Sequence, residues 1–281
     1  MYFRFFHHAV ICLFVICVSH FASAQEVQIK GVIWHDGSVT QGGLITAQLP
    51  QGSRASLDDK QLPQTQDGYI AFGFHRDDDQ TNQLHITTAD NQTFITALTP
   101  LKRSYKTQSI TGLESRYVSP PKAVLDRIAR DREQVAQARA RTSLQDGFAK
   151  SGFNWPVKGT ITGIYGSQRI LNGKPRAPHY GIDIAAPIGT PVYAPAQGNI
   201  TLVEDLYYTG WTIIIDHGLG ISSTMLHLSS VEVAKGTFVK AGDIIGRVGS
   251  TGRSTGPHLD WRLNWYQKRL DPQLVTLTAQ P

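Results

Sequence analysis

The stretch PHYGIDIAAPIGTPVYAP, residues 178–195, decides how the C-terminal half folds. His179 and Asp183 are four apart, which on a helix would put them on one face. Gly181, Pro187 and the β-branched pair Ile182 and Ile184 argue for a strand instead. On a strand, His179, Gly181 and Asp183 share one side, and the small Gly181 leaves room between two ligand-type residues. Tyr180, Ile182 and Ile184 then face the opposite side. The runs around it, GTITGIYG, GNITLVED, TIIIDHG and GDIIGRVG, repeat the pattern of short β-branched segments cut by Gly and Pro. Residues 148–281 therefore read as an all-β domain.

A second pair lies in STGPHLDWRLNW, residues 254–265. His258 and Asp260 share a strand face there, while Leu259, Trp261 and Leu263 are free to enter a core. Two strands that each present His and Asp on a polar face can build a three-ligand metal site with an open position for water. A third imidazole, His227 in STMLHLSS, lies between the pairs and can approach without binding. A His-x-x-x-Asp spacing alone is a weak signal. No His-Glu-x-x-His helix is present, which excludes the usual helical metalloprotease.

The ordered set YGSQR, HYGIDIAAPIGTPVYAPAQGNI, DHGLGISSTMLHLS and VKAGDIIGRVGSTGRSTGPHLDW resembles the LytM/lysostaphin family of zinc peptidoglycan endopeptidases over roughly residues 155–271. The resemblance implies a β-rich fold with His179 and Asp183 as zinc ligands. It implies that His227 and His258 are catalytic residues that position water or stabilise charge. Met225 replaces the family's usual aromatic residue. Asp260 stands where the family has its third ligand, a histidine. A carboxylate oxygen binds zinc at about the distance of an imidazole nitrogen, roughly 2.0–2.2 Å. A His179/Asp183/Asp260 set offsets the charge of the ion, weakens it as a Lewis acid and raises the pKa of bound water. Its harder donors also admit Mn2+ or another divalent ion beside Zn2+.

Two functions follow from the resemblance. The first is an exported zinc endopeptidase cutting the peptide cross-links of peptidoglycan, with stem peptides as partner. The second, motivated by Asp260, is a degenerate murein-binding activator of a cell-wall amidase. A biotinyl-type carrier module ranks below both, since no lysine sits at a hairpin tip between APAQGNI and GTFVKAGDIIGRVGS. Near the site, Tyr165 and Tyr208 read as rim or core residues and His217 as a structural turn residue. Arg169 is open to pairing with a nearby carboxylate or to a surface ion pair.

The rest of the chain divides by composition. Residues 1–24 carry Arg4, an apolar run and the small-x-small site ASA, the pattern of a secretory signal peptide with Gln25 as the first mature residue. Both cysteines, Cys12 and Cys17, fall in that segment, so the exported part has no disulfide. Periplasmic or secreted localisation follows. Residues 25–115 hold short alternating strands divided by turn signals and read as a small β-sandwich, similar to the Ig-like domain that precedes the catalytic module in some Gram-negative members. Its His35, His75 and His85 read as surface or rim residues, and the domain is a candidate dock for an envelope protein. Residues 116–147 read as a linker helix with Val124, Ile128, Val135 and Ala138 on one face, entered at Pro121 and left at Gly147. The net charge of +5 falls to +4 without Arg4 and is spread along the chain. It suits an acidic envelope polymer, whereas nucleic acid finds no basic stripe interleaved with aromatics. No segment after the first 24 residues is apolar enough to span a bilayer.

Overall fold

A computed structural model describes residues 32–36 and 38–277 of the chain. The signal-type segment 1–24 and the His35 side chain lie outside the described residues. The chain is mostly β, as its alternating runs predict. Strands β1 (Ile33–Asp36), β2 (Leu44–Gln48), β3 (Arg54–Leu57), β4 (Lys60–Gln61), β5 (Tyr69–Gly73), β6 (Asn82–Thr87) and β7 (Thr93–Leu98) form the front domain. They make two antiparallel sheets, ordered β1-β2-β5 and β4-β3-β6-β7. In β6, Leu84 and Ile86 are buried while Gln83, His85 and Thr87 are not, the period of two expected of a half-buried strand.

Strand β8 (Thr107–Ile110) belongs by sequence to the front region, yet it pairs in parallel with β10 (Gln168–Leu171) of the C-terminal domain. After α1 (Ser115–Val118), the linker helix α2 covers Leu125–Arg139. Ile128 and Ala138 are its buried apolar positions, as the spacing requires, but the helix stops well before Gly147. Val124 lies in the 3-10 turn ahead of α2. Gly147 instead opens the short α3 (Gly147–Ser151), where a Cβ would come within 2.3 Å of the Gln197 side chain.

The remaining strands are β9 (Thr160–Gly163), β11 (Lys174–Arg176), β12 (Ile182–Ala185), β13 (Pro191–Tyr193), β14 (Gly198–Leu206), β15 (Gly210–Gly218), β16 (Ile221–Leu228), β17 (Ser230–Val231), β18 (Phe238–Val239), β19 (Ile244–Arg247), β20 (His258–Trp265) and β21 (Lys268–Leu270). The central sheet runs β18-β14-β15-β16-β20-β12-β9, with β21 beside β20. Its two faces differ. Ile213, Ile215, Met225, Leu259, Trp261 and Leu263 enter the main apolar core. Ile214 and Leu202 point the other way and pack with Ala138 of α2. Register carries that second face across the sheet: Ile214 is opposite Thr224, Thr224 opposite Arg262, and Asp260 opposite Asp183. The face covered at one end by α2 is thus the face that presents the acidic pair. Each fully buried Ile or Leu on the core side contributes roughly 1.5–3 kcal/mol, which fixes the register and hence the polar row.

Candidate metal centre

Strand alternation brings Asp183 and Asp260 together because β12 and β20 pair antiparallel with these two residues directly opposite. His179 joins them from the extended segment just before β12 rather than from the strand itself. Its N–H donates to the Ser167 carbonyl (2.8 Å) and its carbonyl accepts from Gly166 N–H (2.7 Å), which pins that segment. All three side chains are buried, and one ligand atom from each lies within 4.8 Å of the others. His179 Nε2 is 3.1 Å from Asp183 Oδ1. Beyond this contact neither atom has a hydrogen-bond partner among the described residues, and both are shut off from solvent. Buried polar atoms without partners are costly, and a shared cation satisfies both, so the donor set fits a divalent metal.

Each carboxylate has its own arginine. Arg169 Nη2 donates to Asp183 Oδ2 (2.7 Å), leaving Oδ1 turned toward His179. Gly163 on β9 makes this approach possible, since a Cβ there would lie 2.2 Å from Asp183 Oδ2. Arg262 holds Asp260 as a fork, with Nε 3.0 Å from Oδ1 and Nη2 2.6 Å from Oδ2. Nε also reaches Oδ2 (3.2 Å), so it is Oδ1, with one shared bond, that keeps a lone-pair position for a metal. Burial opposes ionisation of Asp260, but the Arg262 guanidinium outweighs it and holds the carboxyl far below the usual carboxylate range. Asp183 is likewise lowered; burial works against this, and His179, with Arg169 behind it, prevails. Gly181, which the sequence suggests leaves room for an ion, in fact makes room for this pair. A Cβ at Gly181 would fall 2.6 Å from Arg262 Cγ and 2.7 Å from Asp260 Oδ1.

The two further histidines stand together, ring centroids 4.8 Å apart. His227 Nδ1 lies 2.7 Å from the Thr251 carbonyl and His258 Nδ1 2.8 Å from that of Gly256. A carbonyl only accepts, so each Nδ1 carries a proton and each Nε2 is left for another partner. His258 Nε2 is 3.7 Å from Asp183 Oδ1. Simple alternation would turn His227 into the core, because its neighbour Leu226 faces Asp260. An irregularity in the β15–β16 pairing and a left-handed backbone at His227 (φ 64°) turn it back. Burial, and then His258, push the His227 pKa down to about 4.

The geometry resolves the remaining candidates. Arg169 pairs with Asp183. The Tyr165 hydroxyl donates to the Arg269 carbonyl (2.7 Å) and is buried. Tyr208 lines a cavity under α2. His217 is fully buried between the Gln197 carbonyl and Ser223 Oγ, a structural role. His75 lies against Tyr180, and His85 is half-buried on β6. Arg262 was not legible as a site residue; its only signal is the same-face spacing of two from Asp260.

Comparison with known proteins picks out the same part of the chain. Residues 177–272 match the model of peptidase family M23. The C-terminal domain is an M23 peptidase domain. The M23 domain is 46% identical over 87 residues to the peptidoglycan DD-endopeptidase ShyA of Vibrio cholerae, an overlap of 31% of this chain and 20% of the relative. It is 44% identical over 99 residues to the DD-carboxypeptidase/endopeptidase Mpg of Neisseria meningitidis, 35% of this chain and 23% of that one. The chain thus spans about a quarter or less of the length of these curated relatives. A crystal structure of an M23 peptidase from Pseudomonas aeruginosa superposes with a TM-score of 0.63 at 25% identity, covering 84% of this chain and 94% of that one. The similarity therefore extends beyond the M23 domain into the front region.

Proposed function

We propose that this chain is an exported zinc-dependent endopeptidase that hydrolyses the peptide cross-links of peptidoglycan. The observation that carries the reading is the pair of buried donor atoms, His179 Nε2 and Asp183 Oδ1, facing Asp260 beside the two imidazole rings of His227 and His258. The relative named as a peptidoglycan DD-endopeptidase supplies the substrate class. His179, Asp183 and Asp260 would hold the ion. When bound, it polarises the scissile carbonyl and lowers the pKa of water. His227 stays neutral at neutral pH because burial lowers its pKa to about 4, so its Nε2 can accept a proton from water. His258, oriented through Gly256, would steady the developing oxyanion as a donor through an Nε2–H. Arg169 and Arg262 keep both ligand carboxylates ionised and aimed. The reading places the protein in the cell envelope; among the described residues no helix is long and apolar enough to cross a membrane.

The test is metal content after dialysis against metal-free buffer, paired with digestion of cross-linked murein. About one equivalent of zinc and release of peptide-cleaved fragments are expected, with both much reduced in Asp260→Ala. Negligible metal after zinc is offered back, together with intact murein, would overturn the assignment. The amidase-activator alternative gains no support from the site, in which His179, Asp183, His227 and His258 are all intact.

A further inference from the structure

A cavity of about 350 Å3 separates α2 from the site-bearing face of the central sheet. Arg139, Arg132 and Arg269 line it, with Tyr208 and Thr209 on the sheet side. Arg139 is only 4% exposed. Among the described residues its guanidinium hydrogen-bonds one neutral group, the Thr224 hydroxyl (3.0 Å), and its Nε is buried without a partner. Arg269 lies over the Tyr180 ring and bonds otherwise to the side-chain amide of Asn264. The one acidic residue on the cavity wall, Asp131, is engaged by the Tyr207 N–H (2.7 Å). Burial, followed by repulsion from Arg269 and Arg262, pushes the Arg139 pKa well below its ordinary value; Asp260, already forked by Arg262, attracts it too weakly to offset this.

A buried guanidinium without a carboxylate is expensive, and proteins ordinarily pair it. One hydroxyl and the C-terminal dipole of α2 offset only part of that cost. The missing counter-charge has a place to come from, because Arg132, Ala136 and Gln267 at the cavity rim are open to solvent. The position is also informative. Thr224, on which Arg139 rests, is opposite Arg262, and Asp260 is two residues further along β20, roughly 7 Å away.

We propose that this cavity is a binding pocket for a carboxylate group of an acidic peptide, with Arg139 and Arg269 as the residues that hold it. The pocket positions the peptide so that its backbone continues along the sheet face to the His179/Asp183/Asp260 centre. The choice of peptide rests on the peptidoglycan reading; the anion pocket itself does not. A guanidinium fork suits a planar carboxylate in two-point contact.

The test is equilibrium binding by calorimetry to the full exported chain, which does not depend on hydrolysis. The probes are a synthetic stem pentapeptide with a free C-terminal carboxylate, the same peptide as its C-terminal amide, and inorganic phosphate. The carboxylate form is expected to bind on the order of tenfold or more tightly than the amide, and Arg139→Met to erase that difference while leaving amide binding unchanged. Arg269→Met, read the same way, covers the case in which the first variant misfolds, and thermal melting establishes which variants fold. Equal binding of the two peptides, or an unchanged preference in folded variants, would make Arg139 a structural peg between α2 and the sheet and overturn the proposal. Phosphate binding as tight as that of the peptide would overturn the assignment to a peptide carboxylate. Loss of murein hydrolysis with the binding preference intact would count against the catalytic reading alone.

Discussion

The front domain and the M23 domain bury different things. Among the described residues the front domain's buried polar side chains are neutral, such as Thr40, Gln41, Thr46, Ser53 and Thr65. The M23 domain buries His179, Asp183, Asp216, His217, His227, Asp260 and Asp271. The two are braced together: Arg103 pairs with the buried Asp271 (2.8 Å), and Gly73 lets Leu270 approach so closely that a Cβ would clash at 2.6 Å. They also share one apolar cluster. Apolar burial alone is enough to fold a domain of this kind, whereas burying an ionisable group carries a penalty. Where the penalty is concentrated, the fold is carrying chemistry. The front domain packs against the M23 domain, and the buried ionisable groups lie in the latter.

The largest expected effect separates these two kinds of burial. Phe72, fully buried in the front domain, should cost about 3–5 kcal/mol as Phe72→Ala, without altering the metal bound per folded chain. His179→Ala removes a side chain that makes no hydrogen bond through either ring nitrogen. It should lower metal affinity by two orders of magnitude or more while changing the stability of metal-free protein far less. Denaturant titration and metal analysis of the two variants decide the matter. Metal loss in Phe72→Ala at full folding, or retention in His179→Ala, would break the division.

A smaller effect is expected at Arg262, which compensates the buried charge of Asp260. Arg262→Met leaves Asp260 buried and unpaired, a loss of about 3 kcal/mol in metal-free protein. Relief of the repulsion that Arg262 exerts on Arg139 and Arg269 moderates the cost. Added zinc should restore part of it by taking up the freed carboxylate. Melting temperatures with and without zinc test this, and no greater zinc response than in the parent protein would show that Asp260 is not a ligand.

The division was legible in the sequence to the extent that it rests on alternation. The period of two in HLDWRLNW places His258 and Asp260 opposite Leu259 and Trp261, and the structure follows it. Helix α2 was legible from its 3.6-residue spacing, but the face it covers was not, because that depends on which side of the sheet the chain returns to. The turn of His227 toward the site needs a pairing irregularity and a left-handed residue, neither of which leaves a compositional trace. The pairing of β8 with β10 joins segments some 60 residues apart, beyond any local pattern. Arg262 escaped because arginine on a polar strand face ordinarily means a solvated one.

The smallest effect concerns pH and tests whether buried histidine is costly even outside the site. His217 is fully buried, and burial pushes its pKa down to about 4 despite the hydrogen bond to Gln197. In the unfolded chain it returns to about 6.5. Between these values the unfolded state binds the extra proton, so the contribution of His217 is fully present above about pH 6.5 and is lost as pH falls toward 4. From pH 7 to pH 5 the loss is about 2 kcal/mol. His217→Gln should lower stability at neutral pH, since it disturbs the bonds to Gln197 and Ser223. It should also flatten the decline between pH 7 and pH 5 by that amount relative to the parent protein. Urea titrations at the two pH values give both numbers. A parallel decline in the two proteins would mean that the imidazole takes up its proton without leaving the core, and that the acid sensitivity resides elsewhere, with His227 the other buried imidazole of lowered pKa.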